Sequence, residues 1–201
     1  MRLIIATKNK NKFKEIKAIL KGLRLKISYL GKLAPDLEIK EDGKTFFENA
    51  LKKACRVSQI FPQDLVVGED SGLEVESLNN RPGIFSKRFA GKNATDLENN
   101  LKLLRLLKNK KNRNAQFVCV VVLMKNKKLI KKFTGKLKGK IHDRIEGKGG
   151  FGYDPVFFLP RYKKTVAQLT PEEKNKISHR AQAFSKLKKF LFQYLSKNSI
   201  N

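Results

Sequence analysis

Arg2-Leu3-Ile4-Ile5-Ala6-Thr7-Lys8-Asn9-Lys10-Asn11-Lys12-Phe13-Lys14-Glu15-Ile16-Lys17-Ala18-Ile19-Leu20 decides the fold. The apolar run in Arg2 to Ala6 is short and ends in polar residues, which predicts a buried first strand. Phe13, Ile16, Ile19 and Leu20 then recur at helical spacing. Thr7 to Lys12 reads as the loop between strand and helix. In α/β folds a loop at the carboxyl end of a strand is where ligands bind.

The rest of the chain continues the mixture. A second helix is predicted to start near Thr45 and run through Glu48, Ala50, Leu51 and Ala54. Leu65 to Gly68 and Leu73 to Val75 read as two short strands on either side of Glu69 to Gly72. Asn79-Asn80-Arg81-Pro82-Gly83 is turn chemistry. A helix over Ala94 to Leu107 has Thr95 and Glu98 at capping-box spacing. Ala115 to Met124 is rich in β-formers, and Lys125-Asn126-Lys127 predicts a hairpin to Leu129 to Ile141. Glycines 147, 149, 150 and 152 form a loop before Pro155 to Leu159. Thr170-Pro171-Glu172-Glu173 is a helix start, and one helix, or two joined near Ser178, follows. The predicted class is α/β, with a mixed β-sheet flanked by helices.

With 201 residues the chain suits a single domain over 1–201, or one fold with two lobes. A hydrophobic share of 40% and a charged share of 31% describe a soluble globular protein. Lys and Arg number 45 against 18 Asp and Glu, for a formal net charge of +27. Such a field attracts polyanions. The lysines are spread along the chain, which favours solvated composition over a nucleic-acid footprint, and no specific nucleic-acid binding is expected. The rival reading is a basic nucleic-acid-binding protein, which should pair clustered lysines with exposed aromatics. Cys55 and Cys119 lie in apolar stretches without metal-ligand spacing and read as buried thiols in a reducing compartment. The two histidines lie far apart in sequence. The run Leu3 to Ala6 is too short for a signal peptide, and no stretch approaches the ~20 apolar residues of a membrane span. The expected location is cytoplasmic, with no membrane partner.

Chemistry concentrates in a few places. Glu69-Asp70 sets two carboxylates side by side, which is costly unless a cation neutralises them. A lysine would serve, and so would magnesium, which takes a few carboxylate oxygens plus substrate phosphates. The same residues suit a turn with Asp70 or Ser71 as a cap. Glu48 is a third candidate carboxylate, although Thr45 and Glu48 also fit a helix cap. Thr7, Asn9 and Lys12 offer a hydroxyl, an amide and an ammonium before a helix, a phosphate cradle without the glycines of a Walker loop. In Gly149-Gly150-Phe151-Gly152-Tyr153-Asp154-Pro155, Phe151 and Tyr153 can stack on a base or pack in the core. Lys174 and Ser178-His179-Arg180 follow; Arg supplies a fork of fixed donors and His a donor or an acceptor, suited to the edge of a purine with a 6-keto group.

Together and in this order these blocks resemble the inosine triphosphate pyrophosphatase family, enzymes that remove ITP, dITP and XTP. The matching blocks are residues 4–12, 45–50, 69–73, 81–89, 149–155, and 169–174 through 178–180. The resemblance implies a long mixed sheet in two lobes with an active-site cleft between them. It implies magnesium-dependent hydrolysis between the α- and β-phosphates, giving a monophosphate and pyrophosphate, by a homodimer. By position, Thr7, Lys8, Asn9, Lys10, Asn11 and Lys12 would grip the phosphates, and Ser71 would touch substrate. Asp70 would be the general base and a metal ligand, with Glu48 and Glu69 helping to hold magnesium. Phe151, Gly152, Tyr153, Asp154, Lys174, His179 and Arg180 would enclose the base, with Arg88 facing phosphates or base. The chain departs from the pattern at Lys8 and Asn11, where relatives often carry glycine, and at Glu69, where they often carry Asp. A relative with pyrimidine or modified-nucleotide preference is the nearest alternative.

Overall fold

The structure is a computed structural model that describes residues 2–198. Its elements are β1 (Arg2–Ile5), α1 (Lys10–Ile19), β2 (Lys26–Tyr29), α2 (Leu30–Leu33), α3 (Phe46–Ile60), β3 (Leu65–Val75) and β4 (Arg81–Pro82). They continue with α4 (Asp96–Leu106), β5 (Asn114–Lys125), β6 (Lys128–Ile141), β7 (Phe157–Leu159), β8 (Lys164–Thr165), α5 (Pro171–Ile177) and α6 (His179–Asn198). The strands form one sheet in the order β2-β1-β3-β5-β6-β7-β8, with β4 on β3. β1 runs parallel to β2 and β3, whereas β3–β4, β6–β7 and β7–β8 are antiparallel. The mixed α/β class predicted from the sequence is the observed one.

The chain divides into two compact units, one of Met1–Asp70, Cys119–Gly135 and Arg180–Asn201, the other of Ser71–Val118 and Lys136–His179. In the first unit Leu3, Ile5, Leu65, Val67, Cys119 and Val121 pack against Ile16 and Leu20 of α1 and Phe184 and Leu187 of α6. The opposite face of β3 meets α3: a Cβ added at Gly68 would collide with the Ala50 carbonyl oxygen and lie 2.9 Å from the Ala54 Cβ. Strands covered on both faces read as continuous apolar runs, which explains Leu3-Ile4-Ile5. In the second unit Leu73, Val75, Phe117, Ile141 and Phe157 share a core with Leu103 and Leu107 of α4 and its C-cap. Among the described residues no helix is long and apolar enough to cross a membrane.

Several sequence expectations shift. Thr7 to Lys12 is not all loop, because Asn9 caps α1 by accepting from the Lys12 N–H at 3.0 Å, so Lys10, Asn11 and Lys12 form the first helical turn. The two short strands around Glu69-Asp70-Ser71-Gly72 are one strand, β3. A turn is unnecessary there because side chains from the helices neutralise both carboxylates. The chain does break at Ser178, giving the two helices α5 and α6. The hairpin turn falls at Asn126 and Lys127, both with positive φ, as a two-residue type I′ turn needs. Neither Lys8 nor Asn11 has a positive φ, so the backbone accepts both substitutions for glycine.

Candidate active site

Successive side chains of a strand point to opposite faces. Glu69 shares the face of Leu65 and Val67, towards α1 and α6; Asp70 shares the face of Gly68, towards α3. The neighbours therefore have different partners.

Glu69 is 1% exposed. Its carboxylate accepts from Lys12 Nζ at 2.9 Å and from Arg180 Nη2 at 3.3 Å, and the Cys119 thiol donates to it at 3.6 Å. Arg180 also donates to Glu15 at 2.7 Å. Burial pulls the guanidinium down, but Glu69 and Glu15 outweigh it and hold it above its ordinary value. Burial raises the Cys119 thiol well above its ordinary value, with the Glu69 charge adding to the effect.

Asp70 is buried against α3. Asn49 Nδ2 donates to one carboxylate oxygen at 3.1 Å, and Lys53 Nζ approaches the other at 3.5 Å. The Gly43 N–H donates to Asn49 Oδ1 at 2.8 Å, which fixes the amide so that its NH2 faces Asp70. Lys53 also donates to Glu41 at 2.7 Å. Burial raises the Asp70 carboxyl above its ordinary value, and Lys53 and Lys12 pull it partly back. Burial pulls the Lys53 ammonium down, yet Asp70, Glu41 and Glu69 outweigh it and the net shift is upward.

The expected Glu48–Glu69–Asp70 triad is not assembled. Strand alternation separates Glu69 from Asp70, and the Glu48 carboxylate accepts from the Lys44 N–H at 2.8 Å while its own N–H donates to Thr45 Oγ1. Among the described residues no three His, Cys, Asp or Glu side chains converge as a metal cluster. The carboxylate that shares a cation with Asp70 is Glu41, which sequence reasoning missed. Asp70 and Glu41 around one ammonium form a donor set that suits magnesium, which needs only one or two carboxylates beside substrate phosphates. Asn49, Lys53 and Glu15 were also missed. Their signal was spacing, since Asn49 and Lys53 stand one helical turn apart and so share a face of α3.

In the first loop, Thr7 Oγ1 accepts from the Asn9 N–H at 3.1 Å, and Tyr29 donates to the Lys8 carbonyl. Lys8, Lys10 and Asn11 are exposed, and Lys12 is the loop residue that reaches another candidate residue, Glu69.

The second unit holds the other set. Asp154 is 3% exposed and accepts from the Phe151 N–H at 2.8 Å and from Lys174 Nζ. The Lys174 ammonium lies 4.6 Å from the centre of the Phe151 ring. Gly150 has φ +73, and an added Cβ would strike the Asp154 carboxylate. Gly152 is bonded to Asp96 and Asn100 of α4. The Tyr153 ring packs in the core, and its hydroxyl donates to the Ser86 carbonyl at 2.8 Å, so it offers no open face to a base. Ser86 Oγ in turn accepts from the Leu73 N–H at 2.9 Å, just beyond Ser71 in β3. His179 stacks on Phe117 at 4.8 Å, and Phe117 stacks on Phe157 at 4.4 Å. Ser71 is half-buried, and Arg88 is exposed with its guanidinium 5.0 Å from the centre of the Phe85 ring. Ser86, Asp96, Asn100 and Phe117 were missed because they lie outside the glycine-rich motif and reach it only in the fold. Peptide bonds join the two sets at Asp70–Ser71 and His179–Arg180.

The sequence matches the Ham1 family over residues 3–190. The dITP/XTP pyrophosphatase of Clostridium perfringens is 46% identical over 196 residues, covering 93% of this chain and 95% of that relative. The structure is similar to that of the Staphylococcus aureus Ham1 protein, with TM-score 0.87 and 40% identity over 96% of this chain and 100% of the other. It is equally similar to a HAM1 protein from Coxiella burnetii, with TM-score 0.88 and 38% identity over 96% and 99%.

Proposed function

The chain belongs to the Ham1 family, and from that premise we propose that it hydrolyses non-standard purine nucleoside triphosphates, ITP, dITP and XTP, to the monophosphate and pyrophosphate. The observation that supports this most is Asp70: a buried carboxylate, raised above its ordinary value, oriented by Asn49 and faced by Lys53. A base nearer to neutral pH is the better proton acceptor.

In the reaction a water oxygen forms a bond to the α-phosphorus, and the bond from that phosphorus to the α,β-bridging oxygen breaks. Asp70 takes the water proton, and pyrophosphate leaves. Lys53 stays charged at neutral pH, because the carboxylates around it outweigh its burial, and steadies the Asp70 carboxylate. Lys12 presents an ammonium to the phosphates, beside the exposed Lys8 and Lys10. Asp70 and Glu41 would hold magnesium, which when bound neutralises phosphate charge. Phe151, Asp154, Lys174 and His179 would recognise the base. The removal of odd purine nucleotides by a cytoplasmic homodimer completes the reading. The exposed Leu97 and Leu101, one helical turn apart on α4, offer an apolar strip for the second copy.

A substrate panel tests the reading. Purified protein with magnesium should release pyrophosphate, not orthophosphate, from ITP or XTP far faster than from ATP or GTP. Equal turnover of ATP sinks the selectivity, and preference for a pyrimidine triphosphate moves the assignment to the base site. Sedimentation velocity should give a dimer.

A further inference from the structure

Helix α4 holds the glycine-rich loop at one residue. The Asp96 carboxylate accepts from the Gly152 N–H at 2.6 Å, and the Asn100 amide donates to the Gly152 carbonyl at 2.9 Å. Asp96 and Asn100 stand one helical turn apart, on one face of α4. Both backbone polar groups of Gly152 are therefore fixed by one rigid element. Gly152 has φ +64 with nothing within 4 Å of an added Cβ, so backbone conformation, not space, calls for glycine there.

Asn100 is 3% exposed, and its Oδ1 has no hydrogen-bond partner. An unpaired buried acceptor costs stability, and an apolar side chain of similar size would avoid the cost. Turning the amide over would set Oδ1 against the Gly152 carbonyl, so the bond to Gly152 dictates its orientation. An apolar residue would remove the unpaired oxygen but leave the Gly152 carbonyl without its partner, so the role of the amide here is to hold Gly152.

We propose that Asp96 and Asn100 are positioning residues for base recognition: by clamping Gly152 they fix Phe151 and Asp154 on either side of it. The proposal rests on the assignment of Phe151, Asp154 and Lys174 to the base site. The loop carries four glycines, at 147, 149, 150 and 152, and Gly152 is where α4 adds its hold to the bond of the Gly149 N–H to the Ala167 carbonyl. With Gly152 released, the segment around it would be ordered in part by the base, at the expense of affinity.

The test compares wild type with Asp96→Ala, Asp96→Asn, Asn100→Ala and Asn100→Asp, on ITP and on ribose 5-triphosphate, which has the phosphates without the base. KM for ITP should rise on the order of tenfold in Asp96→Ala and both Asn100 variants, the size expected for losing a hydrogen bond to a charged or buried group. kcat should stay within about twofold, because the lost binding is common to ground and transition states. Asp96→Asn should restore KM, since its amide oxygen still accepts from the Gly152 N–H. Turnover of ribose 5-triphosphate should not change. Equal losses on both substrates would make the clamp merely structural, and unchanged KM for ITP in soluble, folded variants would remove it; either result overturns the proposal while leaving the proposed function intact. A wild-type protein inactive on ITP overturns both, and is read before any variant. Thermal unfolding identifies a variant that fails to fold, and the remaining variants then decide.

Discussion

Replacing Asp70 by Asn removes the proton acceptor but keeps the side-chain shape that Asn49 holds. Pyrophosphate release from ITP should fall on the order of 10²–10⁴-fold while the thermal unfolding curve stays cooperative; an unaffected rate would remove Asp70 from the chemistry. The base works ionised, and burial holds its carboxyl above the ordinary value. Activity is therefore lost as pH falls through that raised value. The acid limb of the kcat/KM profile should lie above the ordinary aspartate value of about 4, and a limb at that value would contradict the burial argument. Glu69 has the opposite role. Arg180→Met strips a cation from a carboxylate that is 1% exposed, so stability should drop by about 3 kcal/mol in urea titration. Adding Glu69→Gln should recover part of that loss, and a neutral single variant would show the pair to be dispensable. The sequence marked the acidic pair but not this division of labour, because the division depends on the pair lying inside a strand. Glu41 was illegible for a related reason. It lies outside every quoted motif, in a stretch without hydrophobic periodicity, and only the fold brings it to Lys53.

Elements were legible where periodicity was long. The α4 capping box of Thr95 and Glu98, the Thr170-Pro171 helix start and the apolar β5 all formed as read. β2 was missed because Lys26-Ile27-Ser28-Tyr29 is short and only half-buried, and β4 and β8 are two-residue strands. The single strand β3 was read as two because Asp, Ser and Gly are turn formers in isolation. What overrides that propensity is ion pairing with side chains from α1, α3 and α6, none of it local in sequence. Gly68 is the contact where this arrangement is tightest, since α3 lies directly on it. Gly68→Ala should displace α3 and cost about 1–3 kcal/mol, as overpacking does. It should also lower kcat, because Asn49 and Lys53 ride on the same helix. Denaturation and steady-state kinetics on one preparation check both; a loss of stability with kcat intact would uncouple α3 from Asp70.

At the scale of the molecule, the α/β class followed from the order strand, loop, helix, and two lobes were expected from chain length and family resemblance, but the boundaries of the two units were not legible. Each is discontinuous along the chain, three segments in one and two in the other, and no linker marks a boundary. The charge of +27 was the most visible feature and the least specific. Its consequence for a triphosphate is physical all the same. A positive field raises the encounter rate with an anionic substrate and is screened over about 10 Å at 0.1 M salt. The chemical step runs after binding, between groups largely shielded from salt, as the burial of Asp70 and Lys53 indicates. Raising ionic strength should therefore lower kcat/KM for ITP several-fold while kcat stays nearly flat. A binder of nucleic acid would behave differently: a single-stranded oligonucleotide would inhibit at low salt in proportion to its length, by occupying clustered lysines. The measurement is a salt series of initial rates at low and at saturating ITP, repeated with the oligonucleotide. A salt-independent kcat/KM would show that the lysines are remote from the substrate's path, and length-dependent inhibition would return the basic surface to a polymer partner.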